Sequence, residues 1–161
     1  MAEITIVPYT REYKEYIKTL NYEWLEKYFF VEQGDVKQLS NPQFYIIDKG
    51  GHIFFAKYKE EIVGTSSLIK TGVGEYELAK MAVTEKYKGV GIGKLLLEHC
   101  IQEAVNLKAT KLILFSNIKL KSAIHLYKKY GFTEVSLPAD VHYERANVMM
   151  EKYLLQPVNK M

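Results

Sequence analysis

Between a strand-like segment and a long amphipathic stretch, the chain places Lys88-Gly89-Val90-Gly91-Ile92-Gly93-Lys94, three glycines at alternate positions. Glycine loses more conformational freedom on folding than any other residue. Its repeated use at one point therefore implies unusual backbone angles, or something that must approach the main chain closely. At a helix N-terminus that something is often a phosphate, because the first-turn N–H groups lack intrahelical partners and the dipole is positive there. Lys88 and Lys94 add two full charges around the same turn. A loop whose glycines only serve to turn the chain satisfies the pattern equally well. The dinucleotide pattern G-x-G-x-x-G fails on spacing. The phosphate-loop pattern fails because Leu95 follows Gly93-Lys94 where a hydroxyl would hold Mg²⁺.

The hydrophobic period on either side sets the fold class. Ile4–Pro8 reads as a short strand, and Thr10 stands as the N-cap of a helix whose stripe is Tyr13, Ile17, Leu20, Trp24 and Tyr28. Residues 35–39 suit a second short helix, while 44–48 are apolar but too few to assign. Residues 53–58, a turn at Lys59-Glu60-Glu61, and 62–70 form a hairpin; a turn at 71–74 leads to a third strand over 75–83. A helix over about 92–107 follows, with Ile92, Leu96, Cys100, Ala104 and Leu107 in one stripe. Lys111–Ser116 is nearly continuous in apolar residues, as a strand covered on both faces requires. Leu120, Ala123, Ile124 and Tyr127 mark another helix, closed by Gly131. Strands over 132–137 and 147–154 end the pattern, with a frayed tail expected from Pro157. The order β-α-α-β-β-β-α-β-α-β-β defines an α/β fold around a mixed, mostly antiparallel sheet flanked by helices.

With no linker and no internal repeat, the 161 residues read as one domain, with a core over about 4–154 and a short C-terminal tail. One cysteine and four scattered histidines leave no disulfide and no zinc-type spacing, so no metal is expected. A net charge of +3 is far from the dense basic surface of a nucleic-acid binder. No run approaches the roughly 20 apolar residues needed to cross a bilayer, so no membrane partner is expected. The N-terminus lacks a basic segment followed by an apolar one, and the expected compartment is the cytoplasm. Nothing in the composition decides between a monomer and a homodimer.

Residues 81–97, with the glycine run at their centre, resemble the acyl-CoA signature of the GCN5-related N-acetyltransferase (GNAT) family: a strand, then [Q/R]-x-x-G-x-[G/A], then a helix. Lys88 occupies the position usually held by Gln or Arg, which keeps a donor and loses the planar fork. Ala123-Ile124-His125-Leu126-Tyr127-Lys128-Lys129-Tyr130-Gly131-Phe132 resembles the family's second motif, A-I-x-L-Y-x-x-x-G-F. The likeness runs from about residue 4 to 154. It implies an N-acetyltransferase with a splayed, V-shaped cleft, acetyl-CoA as acyl donor, and an amine as acceptor in direct transfer through a ternary complex. A non-catalytic acyl-CoA sensor or interaction module of the same fold is the alternative.

At matching positions the resemblance implies that main-chain groups of Met81, Ala82 and Val83 pair with the pantetheine arm. The amides of Lys88, Gly89, Val90, Gly91, Ile92, Gly93 and Lys94 would hold the pyrophosphate, and Asn117 would face the pantetheine. Many relatives carry a further Asn where this chain has Leu120. Tyr127 matches the tyrosine that protonates the leaving thiolate, although its stripe also suits a core residue. Glu77, on the strand entering the site, is the candidate base; a solvated strand carboxylate is the alternative, since burial would have to raise its pKa. Trp24, Tyr28 and Glu32 in the first helical region, with Tyr143 and Arg145 near the end, are candidate acceptor-binding residues. The carboxylates Glu23, Glu26, Glu32 and Asp35 hint at a cationic acceptor, and the acceptor itself is not identified.

Overall fold

The computed structural model describes residues 3–141 and 143–154. Strand β1 (Ile4–Pro8) leads into a 3₁₀ turn at Arg11–Tyr13 and then helix α1 (Lys14–Tyr28). Thr10 is extended and makes no side-chain cap bond, and its carbonyl accepts only from Tyr13 N–H, at 3.0 Å. The expected cap thus serves the 3₁₀ turn, and Tyr13 is the N-cap of α1 instead of a member of its stripe. Its ring meets Phe55 edge-on at 5.7 Å. Ile17, Leu20 and Leu25 carry the buried stripe, together with an unexpected polar residue, Asn21.

Helix α2 (Gln33–Ser40) is longer than the sequence pattern suggests, and 43–47 form a π-helical turn that buries Ile46. Strands β2 (His52–Tyr58), β3 (Glu61–Gly72) and β4 (Glu75–Val83) form two successive hairpins. Lys59 and Glu60 both take positive φ, +50° and +65°, as a tight turn matched to strand twist requires. Helix α3 (Ile92–Asn106), strand β5 (Lys111–Ser116) and helix α4 (Lys121–Lys129) follow. Gly131, at φ +92°, ends α4: its N–H reaches Lys128 O and that of Phe132 reaches Tyr127 O, a Schellman closure. Strand β6 (Thr133–Val135) is half the expected length, and β7 is Val148–Tyr153. The tail expected from Pro157 lies outside the described residues. Among those described, no helix is long and apolar enough to cross a membrane.

The seven strands make one sheet in the order β1-β2-β3-β4-β5-β7-β6, antiparallel everywhere except β4 against β5. One core packs Leu78, Leu112 and Leu114 against Leu97 and Cys100 of α3, a second packs Ile53 and Phe55 against Ile17, Leu25 and Leu39, and a third joins Ala56 and Val63 to Ile92 and Leu96. Leu112 to Leu114 are all buried, as expected for a strand covered on both faces. One of the sheet's register shifts lies in β4. Thr65 pairs with Ala82 and Ser67 with Ala79, so two residues of β3 span three of β4. This bulge holds Lys80 at φ +54° and reverses the facing of the later residues of β4. Leu78 belongs to the α3 core, whereas Ala82 belongs to the α1 core.

Candidate active site

The parallel pairing of β4 with β5 covers only Glu75 to Glu77 against Lys111 to Ile113. Beyond it the two strands part, and the gap is a cleft of about 580 Å³. Its floor and walls are β4 from Glu77 to Val83, the glycine loop, the end of β5, and α4 with Tyr127. Trp24, Tyr28, Phe29, Tyr143 and Arg145 close its other side.

At the glycine end, Gly91 is the N-cap of α3 with φ +91°, and Gly89 has φ +84°. A Cβ on either would meet nothing within 4 Å. Both therefore need the left-handed backbone, and both leave open space above the main chain. Gly93 differs: it is helical, and its Cβ would touch Val83 Cγ2 at 3.9 Å. The first helical bond runs from Leu95 N–H to Gly91 O at 3.1 Å, so the amides of 92–94 have no helical acceptor. An uncrowded cradle of this kind, at the positive end of a helix, fits a pyrophosphate.

Met81, Ala82 and Val83 line the cleft as expected, and so do Lys88, Gly89, Gly91, Ile92 and Gly93. Val90 and Lys94 are exposed and stand outside the lining. The Lys88 ammonium pairs with Glu85 at 2.9 Å and lies 5.0 Å from the Tyr28 ring centre. Asn117 lines the cleft, but its side chain is engaged: Nδ2 donates to Arg145 O at 2.7 Å and Oδ1 accepts from Lys119 N–H at 3.0 Å.

Tyr127 and Glu77 both reach this cleft, from α4 and from β4. The Tyr127 ring is half-buried and packs edge-on against Phe132 at 5.9 Å. Burial pushes its phenol up to about 12, so it keeps its proton at neutral pH. The charge of Glu77 acts on Lys80 and on Tyr143, favouring the protonated form of each.

The acceptor wall is a buried ion network. Asp35, fully buried, accepts from Arg145 Nη1 at 2.7 Å, Arg145 Nη2 at 2.8 Å, Lys80 Nζ at 3.1 Å and Glu32 N–H at 2.9 Å. Burial would raise its pKa, yet the Arg145 hydrogen bonds and the Lys80 charge carry it below the ordinary value. Burial pulls Lys80 down, against the pull of Asp35. Tyr143 Oη accepts from Lys80 Nζ at 2.9 Å and donates to Gln38 Oε1 at 2.6 Å. Burial raises its pKa strongly.

Of the expected acceptor residues, Trp24, Tyr28, Tyr143 and Arg145 line the cleft, and Glu32 does not. Glu32 stands behind Arg145, accepting from its Nη1 at 3.0 Å and from Glu144 N–H at 2.9 Å. None of the four carboxylates that hint at a cationic acceptor lines the cleft. Glu32 and Asp35 are spent on Arg145 and Lys80, Glu23 accepts from Glu85 N–H at 2.6 Å, and Glu26 is exposed outside the lining. Sequence reasoning misses Lys80, although Tyr76, Leu78, Lys80 and Ala82 alternate as the buried set of β4. That alternation is the signal that could have found it.

A sheet splayed between two parallel strands, with a glycine cradle at a helix N-terminus, is the architecture of acyl-CoA N-acyltransferases. The sequence model of the acetyltransferase (GNAT) family matches residues 13–132. The chain belongs to this family. It is similar to an acetyltransferase of the GNAT family from Staphylococcus aureus Mu50, with 26% identity and a TM-score of 0.85, over 95% of this chain and 100% of that one. Its fold also matches the PaiA N-acetyltransferase of Thermoplasma acidophilum in complex with coenzyme A, at 18% identity and a TM-score of 0.75, over 94% and 99%. A curated relative, N-acetyltransferase 8 of Rattus norvegicus, is 27% identical over 93 residues, which are 55% of this chain and 42% of the rat protein. The match thus spans less than half of that relative's length.

Proposed function

We propose that this cleft transfers acetyl from acetyl-CoA directly to an amine, with both substrates bound at once. The observation that carries the reading is that the glycine cradle, Tyr127 and Glu77 all open on one 580 Å³ cleft, with an aromatic wall opposite. Acetyl-CoA, when bound, supplies an acetyl group activated as a thioester. The amides of the loop from Lys88 to Lys94 hold its pyrophosphate, and the main chain of Met81 to Val83 pairs with its pantetheine arm.

An alkylamine with a pKa near 10.4 is only about one part in 10³ neutral at pH 7, a handicap of roughly 4–5 kcal/mol. Glu77, directly or through a water, first takes a proton from the bound ammonium and so frees the lone pair that bonds to the acetyl carbon; the second proton, shed as the nitrogen becomes an amide, restores the Tyr127 hydroxyl after its own transfer. As the carbon–sulfur bond breaks, the Tyr127 hydroxyl gives its proton to the departing sulfur. Trp24, Tyr28 and Tyr143 hold the acceptor's apolar part, and the charge of Arg145 is largely matched by Asp35 and Glu32. The test is release of free thiol from acetyl-CoA over a panel of amines, peptides and aminoglycosides. Turnover with at least one acceptor is expected; coenzyme A binding without any turnover would overturn the enzyme reading in favour of a sensor.

A further inference from the structure

Lys80 stands at the bulge of β4 with φ +54°, a backbone that glycine adopts at least cost. Lys59 and Glu60 take such angles in an exposed turn, whereas Lys80 does so inside a strand with a buried side chain. That side chain turns inward, only 5% exposed, and its ammonium joins Asp35 of α2 at 3.1 Å and Tyr143 of the segment before β7 at 2.9 Å. Its carbonyl accepts from Asn21 Nδ2 of α1 at 3.2 Å. Three separate elements therefore meet at Lys80, in the bulge where β4 slips register against β3 between Ala79 and Ala82. Immediately after it come Met81 to Val83, which line the cleft.

We infer that Lys80 is a positioning residue: its buried contacts fix the bulge so that the main chain of Met81 to Val83 faces the pantetheine arm in one register with the acceptor wall. The inference rests on the acyl-CoA reading above. A buried ion pair often adds little net stability over an apolar replacement, so stability alone is a poor reason to keep this one. Fixing a bulge is a better one, because a preorganised main chain loses less freedom on binding.

Two ligands separate the parts of the site. Coenzyme A reaches both the glycine loop and β4, whereas 3′-phospho-ADP carries the phosphates without the pantetheine arm. In calorimetric titrations, Lys80→Met should weaken coenzyme A binding about tenfold or more and leave 3′-phospho-ADP within about twofold of wild type. Equal loss for both ligands would mark a general structural role, and no loss for either would mark no role; each overturns the inference. Should Lys80→Met fail to fold, Lys80→Gly accepts the left-handed backbone without strain and still lacks the ammonium. The same selective loss is expected of it, and wild-type coenzyme A affinity in Lys80→Gly would overturn the inference. A wild-type protein that binds neither ligand overturns the acyl-CoA reading and this inference with it, and is recognised without any variant.

Discussion

Arg145 and Asp35 meet as a fork, Nη1 to Oδ2 at 2.7 Å and Nη2 to Oδ1 at 2.8 Å, across 110 positions of sequence. The geometry is the planar, two-bond match of guanidinium to carboxylate that lysine cannot make. It ties the segment before β7 to α2, and so closes the acceptor side of the cleft from both ends of the chain. Arg145 also lies over the Tyr143 ring at 4.5 Å. The wall is therefore assembled by charge as much as by apolar contact.

Removing the carboxylate charge should be costly, because Lys80 would stay buried with no anion against it and Arg145 would keep only Glu32. Asp35→Asn is expected to lose roughly 3–5 kcal/mol, as breaking a buried pair on one side does. That corresponds to a drop of about 10 °C in melting temperature for a chain of this size. The pH dependence has a sign as well. Asp35 titrates below its ordinary 3.8 in the folded state, so its contribution is complete above that value and is lost as pH falls through the folded one. Urea midpoints in acid should show this limb in wild type and a weaker one in Asp35→Asn. An unchanged melting temperature would mean that the network is not holding the wall.

The glycine loop separates two demands that look alike in the sequence. Gly91→Ala places a Cβ at φ +91°, a strained backbone, and should destabilise the protein by about 1–2 kcal/mol while weakening coenzyme A binding. Gly93→Ala sits in the first turn of α3 with its Cβ in ordinary contact with Val83, and should gain up to about 1 kcal/mol of helix stability. Thermal melts of the two variants should move in opposite directions. Equal destabilisation would mean that Gly93 is also required for its backbone.

Much of this architecture is legible in the sequence because period and punctuation agree. The hairpins at 52–83, the glycine-led helix and the Gly131 closure all follow from local residue chemistry, and all appear where that chemistry puts them. Edges are less legible. Tyr13 has helical spacing but serves as an N-cap, and β6 stops at Val135 because tertiary pairing with β7 decides its length. The buried network is the least visible part of the site. A lysine in a strand and an aspartate in a helix read as solvated charges until the fold joins Lys80 to Asp35 from 45 positions away. Arg145, Tyr143 and Glu32 fall in the expected region, but Glu32 acts behind Arg145 and does not line the cleft.

Alkali should unfold the protein through groups that resist losing a proton. The Cys100 thiol, fully buried beside Ser66, is pushed by burial from 9.0 up to about 12. Tyr143 is also raised by burial, and Tyr127 is raised from 10.0 to about 12. A raised acid contributes stability that is whole below its unfolded pKa and is lost as pH climbs toward the folded one. Lys80 works in the opposite sense up to 10.5, since its folded pKa is lowered. The net fall should therefore be steepest above about pH 10. Urea midpoints from pH 8 to 11 would show it. Cys100→Ala should have a shallower decline, and a parallel decline in that variant would show that the thiol is not responsible.

Tyr127 and Glu77 divide the proton work in a way that separate variants can resolve. Tyr127→Phe keeps the ring against Phe132 and removes only the hydroxyl, so melting temperature and coenzyme A affinity should hardly change. General acid catalysis is typically worth ~10²–10⁴-fold, and kcat should fall by at least about tenfold. A Tyr127→Phe protein that loses activity only because it melts early would make the residue part of the core and not the acid. Glu77→Gln acts on the other proton. With the carboxylate gone, neutral amine must come from solution, so the rate at pH 7 should drop while the rate at high pH recovers toward wild type. The slope of log kcat/KM against pH should therefore rise through a wider range in Glu77→Gln. A wild-type profile in that variant would move the base to another group. Because Glu77 acts electrostatically on Tyr143 and Lys80, the same variant should also ease deprotonation of Tyr143. An ultraviolet titration of the tyrosines in Glu77→Gln, compared with Glu77→Gln/Tyr143→Phe, would register that change even if the acceptor amine were still unknown.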